Sequence, residues 1–134
     1  MIDGADNEKS GSALRPAGDI GLGLVRALRN AGIAVFYQTN DMRVVWSRNV
    51  PESWGGGNIL NKQDGEFLPG IGASRVIERK KAVLRTGLPD MLEFNDSNGR
   101  WYDIWLDADL ADDGTVRGLI TTAVEITERK HREQ

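Results

Sequence analysis

Cysteine is absent from this 134-residue sequence, and histidine occurs once, as His131. Without cysteine there are no disulfide bonds, no thiolate nucleophile and no cysteine-ligated zinc site. The one histidine stands in a charged stretch near the end of the sequence, where it completes no Ser-His-Asp set. We therefore expect no enzymatic activity in this chain itself.

Long apolar runs and a strong excess of one charge are also missing. No stretch approaches the roughly 20 apolar residues of a membrane span, and the N-terminus lacks the apolar core of a secretory signal. The formal net charge is -3, which gives no electrostatic reason to expect nucleic acid or an anionic membrane as a partner. We expect a cytoplasmic location and no membrane contact.

Clustered acidic residues, which a divalent metal site requires, are not evident either. Asp103, Asp107 and Asp109 alternate along one predicted strand with Trp105 between them, which is typical of a solvated outer face. The Asp112-Asp113 pair suits a turn, because aspartate side chains hydrogen-bond to nearby backbone. We predict no metal site.

What the sequence does contain is a clear order of elements. Residues 1–18 are rich in Gly, Ser, Asp and Ala without periodicity, which predicts a flexible lead-in. The segment 19–32 predicts an amphipathic helix with Asp19 as its N-cap. A second helix is predicted over 72–86, marked by Ala73, Val76, Ile77, Lys80, Val83 and Leu84. Short helical turns are predicted between residues 49 and 70.

Strand periodicity occupies most of the rest of the chain. Strands are predicted at 33–38, 42–47, 91–94, 101–110 and 116–126. Asn98-Gly99 and Asp113-Gly114 are typical of hairpin turns, because these residues tolerate positive φ. Hairpin links make neighbouring strands antiparallel, so we predict an α+β fold with a five-stranded antiparallel sheet, a helical insert on one face and an N-terminal flanking helix.

The last strand and its exit carry a family resemblance. In Gly118 to Lys130, the run Glu125-Ile126-Thr127 is followed by Glu128-Arg129-Lys130. This resembles the terminus of a PAS sensor domain, where Asp-Ile-Thr precedes Glu-Arg-Lys. The segment 98–102 and the Asp113-Gly114 turn also resemble PAS segments. The resemblance covers residues 33–127, and its one departure is glutamate at position 125, where the family usually has aspartate.

The resemblance implies a sensory or regulatory domain, most often of a bacterial two-component sensor histidine kinase. Residues 128–134 would begin a signalling helix, and the phosphorelay histidine and ATP-binding domain would lie beyond Gln134. Signal relay is assigned to Glu125, Ile126 and Thr127. The alternatives are a ligand-free dimerisation or protein-docking module, in a diguanylate cyclase or transcription regulator, and a free-standing ligand carrier or small enzyme.

In a PAS domain, a ligand cavity lies between the sheet and the helical insert. The residues predicted to line it are Phe36, Tyr37, Trp54, Asn58, Phe67, Arg75, Ile77, Phe94, Tyr102 and Ile104. The apolar residues among them can equally fill a core. No cofactor is evident. Haem usually needs a histidine as axial ligand, and the one histidine lies in the charged tail rather than among the cavity residues. A cysteine-linked flavin is not expected because the chain has no cysteine. A non-covalent small ligand stays open.

Two tryptophans lie on the strand phase opposite the predicted core. Trp101 and Trp105 are two strand steps apart on one face, and an exposed apolar pair of this size calls for a cover. The apolar stripe of the first helix could supply it, from the same chain or from a second subunit. We predict a homodimer through Trp101 and Trp105 and the helix residues Ile20, Leu24, Val25 and Leu28.

Overall fold

The computed structural model describes the backbone of residues 17–133 and the side chains of residues 22–133. In chain order, the four helices and five strands of this part of the chain are α1 (Ala17–Asn30), β1 (Ile33–Thr39), β2 (Val44–Arg48), α2 (Asp64–Phe67), α3 (Ala73–Thr86), β3 (Asp90–Asn95), β4 (Trp101–Leu110), β5 (Val116–Glu125) and α4 (Thr127–Arg132). Two 3₁₀ turns, Glu52–Trp54 and Gly56–Ile59, lie between β2 and α2. The predicted lead-in, apart from its last two residues, and the side chain of Ile20 lie outside the described residues.

The five strands form one antiparallel sheet with the order β2-β1-β5-β4-β3. The hairpin pairs β1–β2, β3–β4 and β4–β5 follow from turns between consecutive strands. The pairing of β1 with β5 joins the first strand to the last, with Ile33 opposite Val124. The predicted α+β class with a five-stranded antiparallel sheet is confirmed.

Helix α3 of the insert is flanked by a glycine at each end. α3 follows Gly72 and ends at Gly87, which has a positive φ of 75° and donates its N–H to the Val83 carbonyl. Glycine at this position is favoured because a left-handed conformation has no steric cost there. No helix within residues 17–133 is long and apolar enough to cross a bilayer.

The core lies between one face of the sheet and the insert that connects β2 to β3. Residues facing it alternate along each strand, as the period of a strand requires. Those that are buried on β1, β4 and β5 are Ala34, Phe36, Gln38, Tyr102, Ile104, Leu106, Leu119, Thr121 and Ala123. Trp54, from the first 3₁₀ turn, lies edge-on against Tyr102 and Phe94, with ring centroids 4.8 and 5.9 Å away.

Candidate functional site

A polar cluster lies inside the core, between the sheet and α3. Its members, Gln38, Asp64, Lys80 and Thr121, are each at most 1% exposed. The Lys80 ammonium donates to Asp64 Oδ2 at 2.5 Å and to Gln38 Oε1 at 2.8 Å. It also lies 4.7 Å from the centroid of the Phe36 ring. We call Gln38, Asp64, Lys80 and Thr121 the core cluster.

Every side chain of the core cluster is held by another. Gln38 Nε2 donates to Asp64 Oδ1 at 2.6 Å and to the Met42 carbonyl at 3.0 Å, and Thr121 Oγ1 donates to Gln38 Oε1 at 3.3 Å. Burial lowers the pKa of Lys80, and the Asp64 carboxylate opposes that shift. Because a buried charge is costly unless it is paired, Asp64 is what makes the position of Lys80 tolerable.

The structure separates the predicted cavity residues into two groups. Those packed in or against the core are Phe36, Trp54, Phe67, Phe94, Tyr102 and Ile104, while Ile77 is half-buried on α3. Phe36 and Phe67 meet edge-on at 5.9 Å. Trp54 packs against Phe94 and Tyr102, while Phe36 lies between Phe67 and the Lys80 ammonium of the core cluster.

The polar residues predicted for the cavity are elsewhere, and this part of the prediction is wrong. Tyr37 lies on the outer face of the sheet, because it neighbours the inward-facing Phe36 on a pleated strand. Its hydroxyl donates to Asp109 Oδ2 at 2.6 Å. Asn58 is exposed on the second 3₁₀ turn, and Arg75 is exposed on α3, where its guanidinium donates to the Glu93 carbonyl of β3.

The outer face of the sheet carries an apolar band across all five strands. Strand register places its members in two adjacent rows, Trp46–Tyr37–Ile120 and Val35–Thr122–Trp105–Met91. Trp46, Met91 and Trp105 are 43%, 40% and 46% exposed. We call these seven residues the outer band.

Helix α1 does not cover the outer band within the same chain, which corrects that alternative of the dimer prediction. The amide of Asn49 donates to the Val25 carbonyl at 3.1 Å and holds α1 beside the end of β2. Leu24 therefore stays 58% exposed, as Trp105 does at 46%. Val25 and Leu28 are half-buried.

The exit from the sheet is tied to the start of β4. Glu125 Oε2 accepts hydrogen bonds from Arg100 Nη1 at 2.9 Å and from Thr127 Oγ1 at 3.0 Å. Thr127 Oγ1 in turn accepts the Trp101 N–H at 3.0 Å, and the Ile126 N–H donates to the Trp101 carbonyl at 2.7 Å. The glutamate at position 125 thus reaches both the first residue of α4 and a guanidinium. We call this arrangement the junction.

Helix α4 is also held against the outer face by charged groups. Glu93 accepts from Lys130 Nζ at 2.9 Å and from Arg129 Nη2 at 3.1 Å, and Arg129 Nη1 donates to Asp103 Oδ2 at 3.4 Å. Lys130 lies 4.7 Å from the Trp101 ring centroid, so this tryptophan is covered by α4 rather than by α1. The Lys130 hydrogen bond lowers the pKa of Glu93. We call these five residues the latch.

Sequence reasoning identified neither Glu93 nor Asp103 as a partner of α4. The signal was present, because the two residues face each other across β3 and β4 on the phase opposite the core. Two carboxylates on that face fit the Arg129-Lys130 pair at the exit from the sheet. Within residues 17–133, no group of three or more histidine, aspartate and glutamate side chains is placed to hold a metal ion.

A five-stranded antiparallel sheet in the order β2-β1-β5-β4-β3, with its helical insert on one face, defines this chain as a PAS fold. No protein-family model matches the sequence, and no curated protein matches it. Solved structures do. The PAS domain of the histidine kinase ThkA is 17% identical, with 69% of this chain and 97% of that chain covered and a TM-score of 0.55.

Two further similar structures belong to proteins with other outputs. VqmA from Vibrio cholerae, a LuxR-type receptor with target DNA, is 14% identical, with 81% of this chain and 52% of that chain covered and a TM-score of 0.60. An RNA-binding light-oxygen-voltage receptor is 21% identical, with 94% and 38% covered and a TM-score of 0.60. At such identities the likeness establishes the fold, and the fold alone does not select an output.

Proposed function

We propose that this chain is the sensory and regulatory domain of a signal-transduction protein, and that its output is a sensor histidine kinase. The observation that carries the proposal is the junction, where β5 passes directly into α4. The hydrogen bonds of Glu125 and Thr127 there join the last strand, the start of β4 and the first turn of α4. The histidine kinase is chosen as the output because the resemblance of residues 125–130 to a PAS terminus implies it most often, and the ThkA domain is one example of this fold in that setting.

The proposed relay is a change in how α4 leaves the sheet. A stimulus that shifts β5 changes the geometry between Glu125 and Thr127, and the latch on Glu93 then holds or releases Arg129 and Lys130. A stimulus can shift the population between the held and released positions of α4 if the two differ in free energy by only a few kcal/mol. The ion pairs of the latch are exposed or partly exposed, and such pairs individually contribute little to stability. A stimulus can therefore release α4 from the latch at a small cost in free energy.

Thr127→Ala in the full-length parent protein is expected to change basal output. The change removes the acceptor of the Trp101 N–H and one donor to Glu125. A lost hydrogen bond to a charged group is worth about 1.5–3 kcal/mol, enough to move a two-state equilibrium by about tenfold or more. The measurement is autophosphorylation rate with and without stimulus, alongside Glu125→Ala.

The matched control is Thr127→Ser, which keeps the hydroxyl and should keep output near that of the unchanged protein. Equal output from the alanine and serine variants, in both signalling states, would rule out the junction as the switch. A parent whose output domain has no kinase activity would overturn the histidine-kinase assignment while leaving the relay to be tested on the output it does have.

We also propose a homodimer in which the outer band of one subunit is covered by α1 of the other. The exposed apolar side chains on both surfaces support this: Trp105 and Met91 on the band, and Leu22 and Leu24 on α1. Apolar patches of this kind on soluble domains mark interaction surfaces.

Trp105→Glu is expected to weaken this dimer by more than about tenfold, because a central tryptophan is typically worth at least about 2 kcal/mol of association. Sedimentation equilibrium over a range of protein concentrations measures the effect. Ile71→Glu is the matched control, since Ile71 is 98% exposed and lies outside the outer band. The proposed interface would be contradicted if the unchanged chain is monomeric at every concentration. It would also be contradicted if Trp105→Glu and Ile71→Glu weaken the dimer equally.

A second candidate function is a ligand-free dimerisation or docking module, in a diguanylate cyclase or a transcription regulator. The observation that favours it is the core cluster, which places Lys80, Asp64 and Gln38 in the region between sheet and insert where a PAS ligand would lie. Native mass spectrometry with an absorption spectrum, on protein purified without added cofactor, separates the two. Extra bound mass supports a ligand sensor, and a colourless dimer at sequence mass supports the docking module.

A further inference from the structure

A cleft of about 370 Å³ opens at the end of the sheet where the chain passes from α1 into β1. Its floor includes Ala34 and Ala123, which face each other across β1 and β5, together with Tyr102. Two alanines in register leave a depression, because neither side chain reaches beyond its β-carbon. The floor is apolar, and its size falls in the roughly 300–1,000 Å³ range of small-molecule sites.

Two arginines and two glutamates line the rim of this cleft: Arg29, Arg100, Glu52 and Glu125. Arg100 and Glu125 are paired with each other at 2.9 Å. Among the described residues, neither Arg29 nor Glu52 forms an ion pair. A cation and an anion therefore line one small cleft without neutralising each other, which is the arrangement that a ligand with both charges satisfies.

Hydroxyl groups add hydrogen-bonding capacity. Burial, followed by the nearby Glu125 and Asp96 carboxylates, raises the pKa of Tyr102 to about 12, so its phenol stays protonated and can donate at neutral pH. Neither that hydroxyl nor the hydroxyl of Ser53, which also lines the cleft, has a hydrogen-bond partner within the described part of the chain. Both can bind a ligand carboxylate.

We propose that this cleft binds a free α-amino acid. The ligand carboxylate pairs with Arg29, its ammonium group pairs with Glu52, and its side chain lies over Ala34 and Ala123. A ligand with a negative charge alone would face Glu52 and Glu125, and one with a positive charge alone would face Arg29 and Arg100. A zwitterion is complementary to both pairs.

The cleft and the junction share two residues, Arg100 and Glu125. A zwitterion held by Arg29 and Glu52 places its two charges in the same cleft as the Arg100–Glu125 ion pair, and Glu125 also accepts from Thr127. Amino-acid binding would then change the junction directly. This consequence rests on the proposed relay, whereas the binding itself does not.

The test screens the 134-residue chain by thermal shift against each of the common free amino acids, and calorimetry then follows the best binder. Its amide and its N-acetyl derivative serve as probes that each lack one charge. We expect both derivatives to bind at least about tenfold more weakly than the parent amino acid, since a charge-assisted contact is worth about tenfold or more. Binding by no amino acid, or equal binding of all three compounds, overturns the proposal.

Arg29→Gln and Glu52→Gln should each weaken binding by about tenfold or more. Arg26→Gln and Glu78→Gln should leave it unchanged, because these exposed residues lie outside the cleft. All four positions are exposed, so folding is expected to be retained, and thermal melts check this. Loss of binding in the control variants, or retention in the cleft variants, places the ligand elsewhere and overturns the proposal.

Amide chemical shifts in the same titration separate this inference from the relay. Shifts at the cleft together with Thr127 and α4 support both. Shifts at the cleft with α4 unchanged support the amino-acid site and count against the relay. Altered output in Thr127→Ala without any amino-acid binding supports the relay and overturns the site.

Discussion

Replacing Lys80 by methionine is expected to lower the free energy of unfolding by about 3–5 kcal/mol. The change keeps an apolar chain of similar length but leaves the Asp64 carboxylate, 1% exposed, without its cation. An unpaired buried charge costs far more than the pair contributes, so the loss should be large. It is measured by urea denaturation followed by far-ultraviolet circular dichroism.

Two further variants sharpen this experiment. Lys81→Met changes the neighbouring lysine, which is exposed, and should alter stability by less than about 0.5 kcal/mol. In the double variant Lys80→Met/Asp64→Leu the charge is no longer unpaired, so part or all of the stability should return. The two hydrogen bonds that Gln38 keeps, to the Met42 carbonyl and to Thr121, set the limit of this recovery. A double variant no more stable than Lys80→Met would contradict this account of the core cluster.

Trp54→Ala is expected to cost about 3–5 kcal/mol, the range for truncating a buried tryptophan. Trp54 is 1% exposed and closes the core through edge contacts with Tyr102 and Phe94. Its loss leaves a cavity beside Tyr102 and Phe94. The measurement is again chemical denaturation, with Trp46→Ala, which removes a 43% exposed tryptophan, as the control with the smaller effect.

The cavity left by Trp54→Ala offers a direct check on its origin. An apolar cavity can take up an apolar molecule of matching shape, and a ligand that binds only the folded state raises its stability. Added indole should therefore raise the melting temperature of Trp54→Ala and leave that of the unchanged protein where it was. No difference between the two proteins would mean that the core collapses around position 54 rather than leaving a cavity.

The residues that sequence reasoning misplaced show where local patterns run out. Tyr37 follows Phe36 directly, and the period of a strand already puts these two residues on opposite faces; the error lay in grouping them. Asn58 and Arg75 are different. Each sits on a short turn or helix whose orientation toward the core depends on how the insert packs, and no nearby residue in the sequence specifies that orientation.

Lys80 is the clearest case of a pattern without its meaning. Its position in the apolar stripe of α3 follows from helical spacing, which places it on the same face as Val76 and Val83. Its partners Asp64 and Gln38 are 16 and 42 residues away along the chain. Spacing predicts that the side chain faces inward, but not that a buried acid and an amide stand ready to receive its charge.

What the sequence determined by itself is the set of elements and their hairpin links. Turns such as Asn98-Gly99 and the apolar alternation of the strands act over a few residues, so they can be read locally, and the α+β class followed from them. Tertiary structure decided the pairing of β1 with β5, the core cluster, the latch and the cleft between α1 and the end of the sheet. Each joins residues far apart in sequence, whose meeting depends on how separate elements pack and not on any local preference.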